Sequence, residues 1–227
     1  MSSKLIFQDL PNAEQIQKRT QPTVFQEFIE YLFYFLRVFV VVAVVYIFVR
    51  TSIFEIIVVK GTSMSPSYEN TDVIYIDLLT PKFSEYKRGE VVVIRAPINN
   101  IEEAVAGKGT LFIKRVIAVP GDTIILDEGK VFIYNMELPN GAQLDESSYL
   151  ASTVKTCKDI RACEEKYEKQ VLGTDEYYVM GDNRPNSTDS RVIGKIKKSE
   201  IVGREFYRIL PADKIGPFNI PKYNITN

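Results

Sequence analysis

The apolar residues of this 227-residue chain fall into one long block followed by many short ones. In residues 31–49, 18 of 19 positions are apolar or aromatic, and Arg37 is the exception. At ~1.5 Å rise per residue, a helix of this length just crosses a hydrocarbon core of ~30 Å. Arg37 lies close enough to one end for its stem to snorkel, and Tyr31, Tyr34 and Tyr46 suit the interfacial zones. A largely polar stretch precedes the block, and Arg50, Thr51, Ser52 and Ile53 follow it. That order fits a retained membrane anchor better than a cleaved leader. Lys4, Lys18, Arg19 and Arg37, set against Arg50 and Lys60, favour an N-terminus on the inside.

Beyond the block the apolar runs become short and β-like: residues 53–60, 72–78, 90–95, 110–119, 123–126, 131–134, 177–180 and 205–210. Turn chemistry separates them at Pro120-Gly121-Asp122, Glu128-Gly129 and Asn140-Gly141. The pattern predicts a mainly β protein: a single N-terminal transmembrane helix, then an all-β ectodomain large enough to bury its own core. Residues 144–172 are polar, rich in Lys and Glu, and expected to form an insertion with some helix. The expected organisation is a cytoplasmic segment over 1–30, an anchor over 31–50, a β-rich domain over 51–212 and a tail over 213–227.

Composition narrows the chemistry. The chain has no histidine, which removes Ser-His-Asp and Cys-His catalysis, His-based zinc sites and axial-His haem. Lys and Arg total 28 against 29 Asp and Glu, so there is no electrostatic footprint for nucleic acid. Two cysteines, Cys157 and Cys163, fall inside the polar insertion. They read equally well as a small disulfide loop or as two incidental thiols.

Several patterns are decoys. Ser84/Lys87 and Ser152/Lys155 are S-x-x-K pairs without the companion motifs of penicillin-binding enzymes. Gly107 and Gly109 lack the third glycine of a nucleotide loop. Three other segments carry more. G-T-S-M-S-P at residues 61–66 sets Ser63 in a short polar turn flanked by Gly61 and Pro66. F-I-K-R-V-I-A-V-P-G-D at 112–122 puts Lys114 on one strand face with Phe112, Val116 and Ala118. Desolvation there would lower the amine's pKa. G-D-N-R-P-N-S-T-D-S-R at 181–191 is a loop dense in hydrogen-bonding groups, where internal salt bridges compete with a metal site.

In this order, with Arg88-Gly89-Glu90 opening a Val-rich strand, these segments resemble the bacterial type I signal peptidases, membrane-bound serine proteases with a Ser/Lys dyad. The resemblance runs from about residue 30 to 210. It implies Ser63 as nucleophile, Lys114 as general base and Ser187 as a hydrogen-bond partner that orients the lysine amine. Asp189 and Arg191 would form a supporting ion pair, Asp182 and Arg115 would brace the site, and Met64 and Pro66 would shape the turn and substrate groove. It implies no cofactor and no metal. The expected partners are the lipid bilayer and secretory preproteins with small residues before the cut. The catalytic domain would lie outside the plasma membrane. Two departures stand out. Gly61 replaces a serine that donates to the oxyanion in some members, which leaves the second oxyanion donor unnamed. Pro185 replaces an acidic residue. The rival readings are a soluble Ser/Lys self-cleaving repressor-like protease and a non-catalytic, membrane-tethered β binding domain.

Overall fold

The computed structural model describes residues 23–95, 111–157, 169–223 and 225–226. The chain divides into two compact units, Met1–Val49 and Arg50–Asn227.

Helix α1 spans Val24–Ser52 and starts seven residues before the apolar block. The earlier start has a local cause. Thr23 and Gln26 cap each other reciprocally: Thr23 N–H donates to Gln26 Oε1 at 2.9 Å and Gln26 N–H to Thr23 Oγ1 at 3.3 Å. Glu27 adds a favourable charge in the first turn. Nearly all of the large apolar side chains of α1 are exposed, from Phe25 through Phe48. It is the one helix among the described residues long and apolar enough to cross a membrane.

The second unit is built from two antiparallel sheets. The larger contains β1 (Phe54–Val58), β2 (Val73–Asp77), β3 (Val91–Arg95), β4 (Leu111–Ala118), β9 (Glu176–Met180), β10 (Ile196–Lys197) and β11 (Ile201–Leu210). Their order is β1-β2-β11-β3-β4-β9-β10, with β12 (Gly216–Pro217) added to β11. The smaller has the order β13-β7-β6-β5-β8, from β5 (Thr123–Asp127), β6 (Lys130–Tyr134), β7 (Ala142–Leu144), β8 (Gln170–Val171) and β13 (Ile225–Thr226).

Strand β3 explains the continuous valine run. Val91 and Val93 enter one core with Met64, Tyr68, Ile74 and Ile76. Val92 and Ile94 enter another with Val116, Tyr177 and Val179. A strand buried on both faces needs no polar alternation. A third core lies under the smaller sheet and joins Ile124, Leu126, Val131 and Ile133 to Ile117 and Met180. The hairpin between β5 and β6 turns through Glu128 and Gly129, both at positive φ, as its two-residue loop requires.

In the insertion, residues 145–157 form turns, and 158–168 lie outside the described residues. Short polar side chains there bond the backbone themselves, as when Ser147 N–H donates to Asp145 Oδ1 at 3.0 Å. Within the expected tail, β12 pairs with β11, β13 pairs with β7, and Tyr223 packs on the third core. Strand β11 begins at Ile201 rather than at 205, because Gly203, which blurs the apolar alternation, is the residue that fits against the Asp77 carbonyl. Cys157 is disulfide-bonded, and Cys163, the other cysteine of the sequence, lies outside the described residues.

Candidate active site

Ser63 lies in the turn that leaves β1. Gly61 takes φ +90°, a conformation that suits glycine, and its N–H donates to Asn70 Oδ1 at 3.1 Å. A serine side chain at this position would be strained, which is a local reason for the departure at Gly61. Ser65 N–H closes the turn on Thr62 O at 3.1 Å, and Met64 is buried beneath it at 1 % exposure. Met64 belongs to the core, and Pro66 is exposed on the turn. Neither is among the residues that line the cleft described below. The loop after β9 grips the turn from the other side. Asn183 N–H donates to Ser63 O and Asn183 Nδ2 to Thr62 O, each at 3.0 Å.

Lys114 comes from the middle of β4 and is 2 % exposed. Its Nζ donates to Ser63 Oγ at 2.8 Å and to Ile113 O at 2.9 Å, and lies 5.2 Å from the Phe112 ring centroid. Burial lowers its pKa from 10.5 to about 8. The Asp189 and Asp182 carboxylates oppose that shift, and Arg191 adds to it.

Two buried ion pairs surround the amine. Asp182 accepts Arg115 Nε at 2.8 Å and Nη2 at 2.6 Å, and Arg115 Nη1 also donates to Gly89 O at 2.9 Å. Asp189 accepts Arg191 Nε at 2.8 Å, Nη2 at 2.7 Å and the Gly181 N–H at 3.0 Å. Burial pushes the Asp189 carboxyl up, but Arg191, the Gly181 N–H and the Ser187 hydroxyl outweigh it and hold it below the usual value. The Ser187 Oγ is buried and has no hydrogen-bond partner among the described residues, and the bond expected to the lysine amine is not formed. Gly181 is needed for close approach: a Cβ there would run into Ser187 Oγ and the Ser63 carbonyl.

A cleft of about 380 Å³ opens beside Ser63 and Lys114. Ile57, Val59, Val93, Leu111 and Ile113 give it apolar walls. Among the described residues no group of Cys, Asp or Glu has the arrangement to hold a metal ion.

The model of the signal peptidase, peptidase S26 family matches residues 32–210. The chain belongs to this family. Signal peptidase I P of Bacillus subtilis subsp. natto is 34 % identical over 78 % of this chain and 88 % of its own length. Probable signal peptidase I-2 of Synechocystis sp. is 31 % identical over 74 % of this chain and 68 % of its own. Signal peptidase I of Bacillus amyloliquefaciens is 28 % identical over 78 % and 86 %.

In this S26-family chain, sequence reasoning missed three side chains that shape the site. Arg184 reads as a loop cation paired inside its own loop, yet its side chain is 0 % exposed and pairs outside it, with Glu146. Tyr149 lies under Arg115, its ring centroid 4.2 Å from the guanidinium carbon. Both Glu146 and Tyr149 come from the polar insertion, where no periodic signal marks them.

Proposed function

We propose that this chain is a membrane-anchored serine endopeptidase that removes N-terminal signal peptides from secretory preproteins, with Ser63 as nucleophile and Lys114 as general base. The observation that carries the reading is a buried lysine amine 2.8 Å from a serine hydroxyl, beside an apolar cleft. Family membership and the relatives named signal peptidase I support the substrate class.

The chemistry follows from the geometry. An amine with a pKa near 8 is partly neutral at physiological pH, and only the neutral form can take a proton from Ser63. As the proton moves to Nζ, Ser63 Oγ attacks the scissile carbonyl, and the Ser63 N–H is the donor offered to the oxyanion. The Lys114 ammonium then protonates the departing amine and returns to neutrality. A water, deprotonated by the same amine, hydrolyses the acyl-enzyme. The bond from Nζ to Ile113 O keeps the amine from swinging away while this happens.

Strand β1 ends the larger sheet, and an extended substrate laid along it presents alternate side chains to one wall. The cleft there is apolar and modest in size, which suits small residues at the last and third-last positions before the cut. Helix α1 would hold the peptidase at the plasma membrane, where a precursor's apolar segment is already embedded. Following the charge bias, residues 1–30 would be cytoplasmic and the β-rich domain extracytoplasmic. Incubating the detergent-solubilised protein with a labelled preprotein tests this. Cleavage after a small residue is expected, and its loss in Ser63→Ala is required.

A further inference from the structure

Arg184 carries a permanent charge and is sealed from solvent. The aspartates of its own loop are already engaged, Asp182 with Arg115 and Asp189 with Arg191. Its counter-charge comes from outside. Glu146, two residues beyond β7, accepts Arg184 Nη1 at 3.0 Å and Nη2 at 2.5 Å. Two further donors go to Gly181 O at 3.1 Å, from Nε, and to Thr156 Oγ1, from Nη1.

Both ion pairs that act on Lys114 lead back to this glutamate. On one side the Arg184 carbonyl accepts Arg191 Nη2 at 2.7 Å, and Arg191 holds Asp189. On the other, Tyr149 OH donates to Glu146 Oε1 at 2.7 Å, while the Tyr149 ring supports the guanidinium of Arg115, which holds Asp182. We propose that Glu146 is a positioning residue for the Ser63/Lys114 site, setting the places of Asp189 and Asp182 through Arg184 and Tyr149. The proposal rests on the dyad reading above. A glutamate in a segment outside the catalytic loop thus fixes the loop's geometry from behind. Without it, Arg184 is a buried cation on which the Asp182 carboxylate also acts, and any capture of Asp182 takes it from Arg115.

The test is steady-state kinetics of the full-length protein in detergent on a preprotein, at a temperature where circular dichroism shows each variant folded. Glu146→Gln keeps the volume and removes the charge. Its kcat is expected to fall about tenfold or more with KM held within about threefold, because misplacement acts on the transition state. Glu146→Asp should recover part of the loss. A wild-type kcat in folded Glu146→Gln, or a change confined to KM, overturns the proposal. Should that variant fail to fold, Tyr149→Phe carries the test: about a threefold fall in kcat is expected, and no fall overturns it. Ser63→Ala in the same assay separates the two readings. Cleavage by Ser63→Ala would defeat the dyad, whereas an inactive Ser63→Ala beside a fully active Glu146→Gln would defeat only the positioning role.

Discussion

A lysine held at 2 % exposure is a costly residue for a fold to carry. Its folded pKa, about 8, lies below the ordinary 10.5, so stability present above the ordinary value is lost as pH falls through 8. At pH 7 the deficit is on the order of 3 kcal/mol. Lys114→Met should therefore abolish preprotein cleavage and raise the unfolding midpoint at pH 7. A variant that is inactive and also less stable than the wild type would contradict this account. In the wild type, cleavage should rise with pH and level off above about 8 as the amine loses its proton. A rate that is flat from pH 6 to 9 would remove the amine from the mechanism. Glu205 makes the opposite contribution elsewhere. Burial raises its carboxyl from 4.5 to about 7, against the Tyr68 hydroxyl and the Arg208 and Arg115 guanidinium groups. The native state holds that proton more tightly, so stability should fall between about pH 4.5 and 7, by up to about 3 kcal/mol. Glu205→Gln should flatten that decline in urea midpoints measured at pH 5 and pH 8.

Among the elements, the loop between β9 and α2 (Ser190–Ile193) has the most to coordinate, because it touches the nucleophile's turn and both ion pairs. Gly181→Ala should retain the sheets but cost about a hundredfold in kcat/KM, since its Cβ displaces the Ser63 carbonyl and Ser187 together. Kinetics alongside circular dichroism would check both halves. The long strands of this fold are legible in the sequence because β-branched runs mark them, as in Val91–Ile94 and Thr123–Leu126. Strands β7, β8, β10, β12 and β13 are two or three residues long, and only their partners in space make them strands. The same division holds at the site. Ser63, Lys114, Asp182, Asp189 and Arg191 stand out through three ordered motifs, though no spacing rule shows that residues 51 apart meet. Glu146 is 38 positions from Arg184 and looks like any glutamate in a polar stretch.

At the scale of the whole molecule, the division after Val49 separates an apolar helix from a body with three cores of its own. A fragment of residues 50–227 should fold and cleave a soluble peptide with kcat within about threefold of the full chain. On a precursor embedded in vesicles it should lose about tenfold or more, because the helix no longer raises the local concentration. Equal losses on both substrates would mean that α1 serves the body's structure. One more consequence follows from the position of β1 at the end of the larger sheet, where Ile56 and Val58 are 46 % and 49 % exposed. A row of backbone groups left open for a guest peptide is equally open to another copy of the chain, and such edges seed aggregates unless something keeps them apart. Glu55 and Lys60, both exposed, put opposite charges at the two ends of this edge. Two copies pairing in parallel and in register would set like charges against each other at both ends, which disfavours that contact, whereas a passing substrate strand meets each charge once.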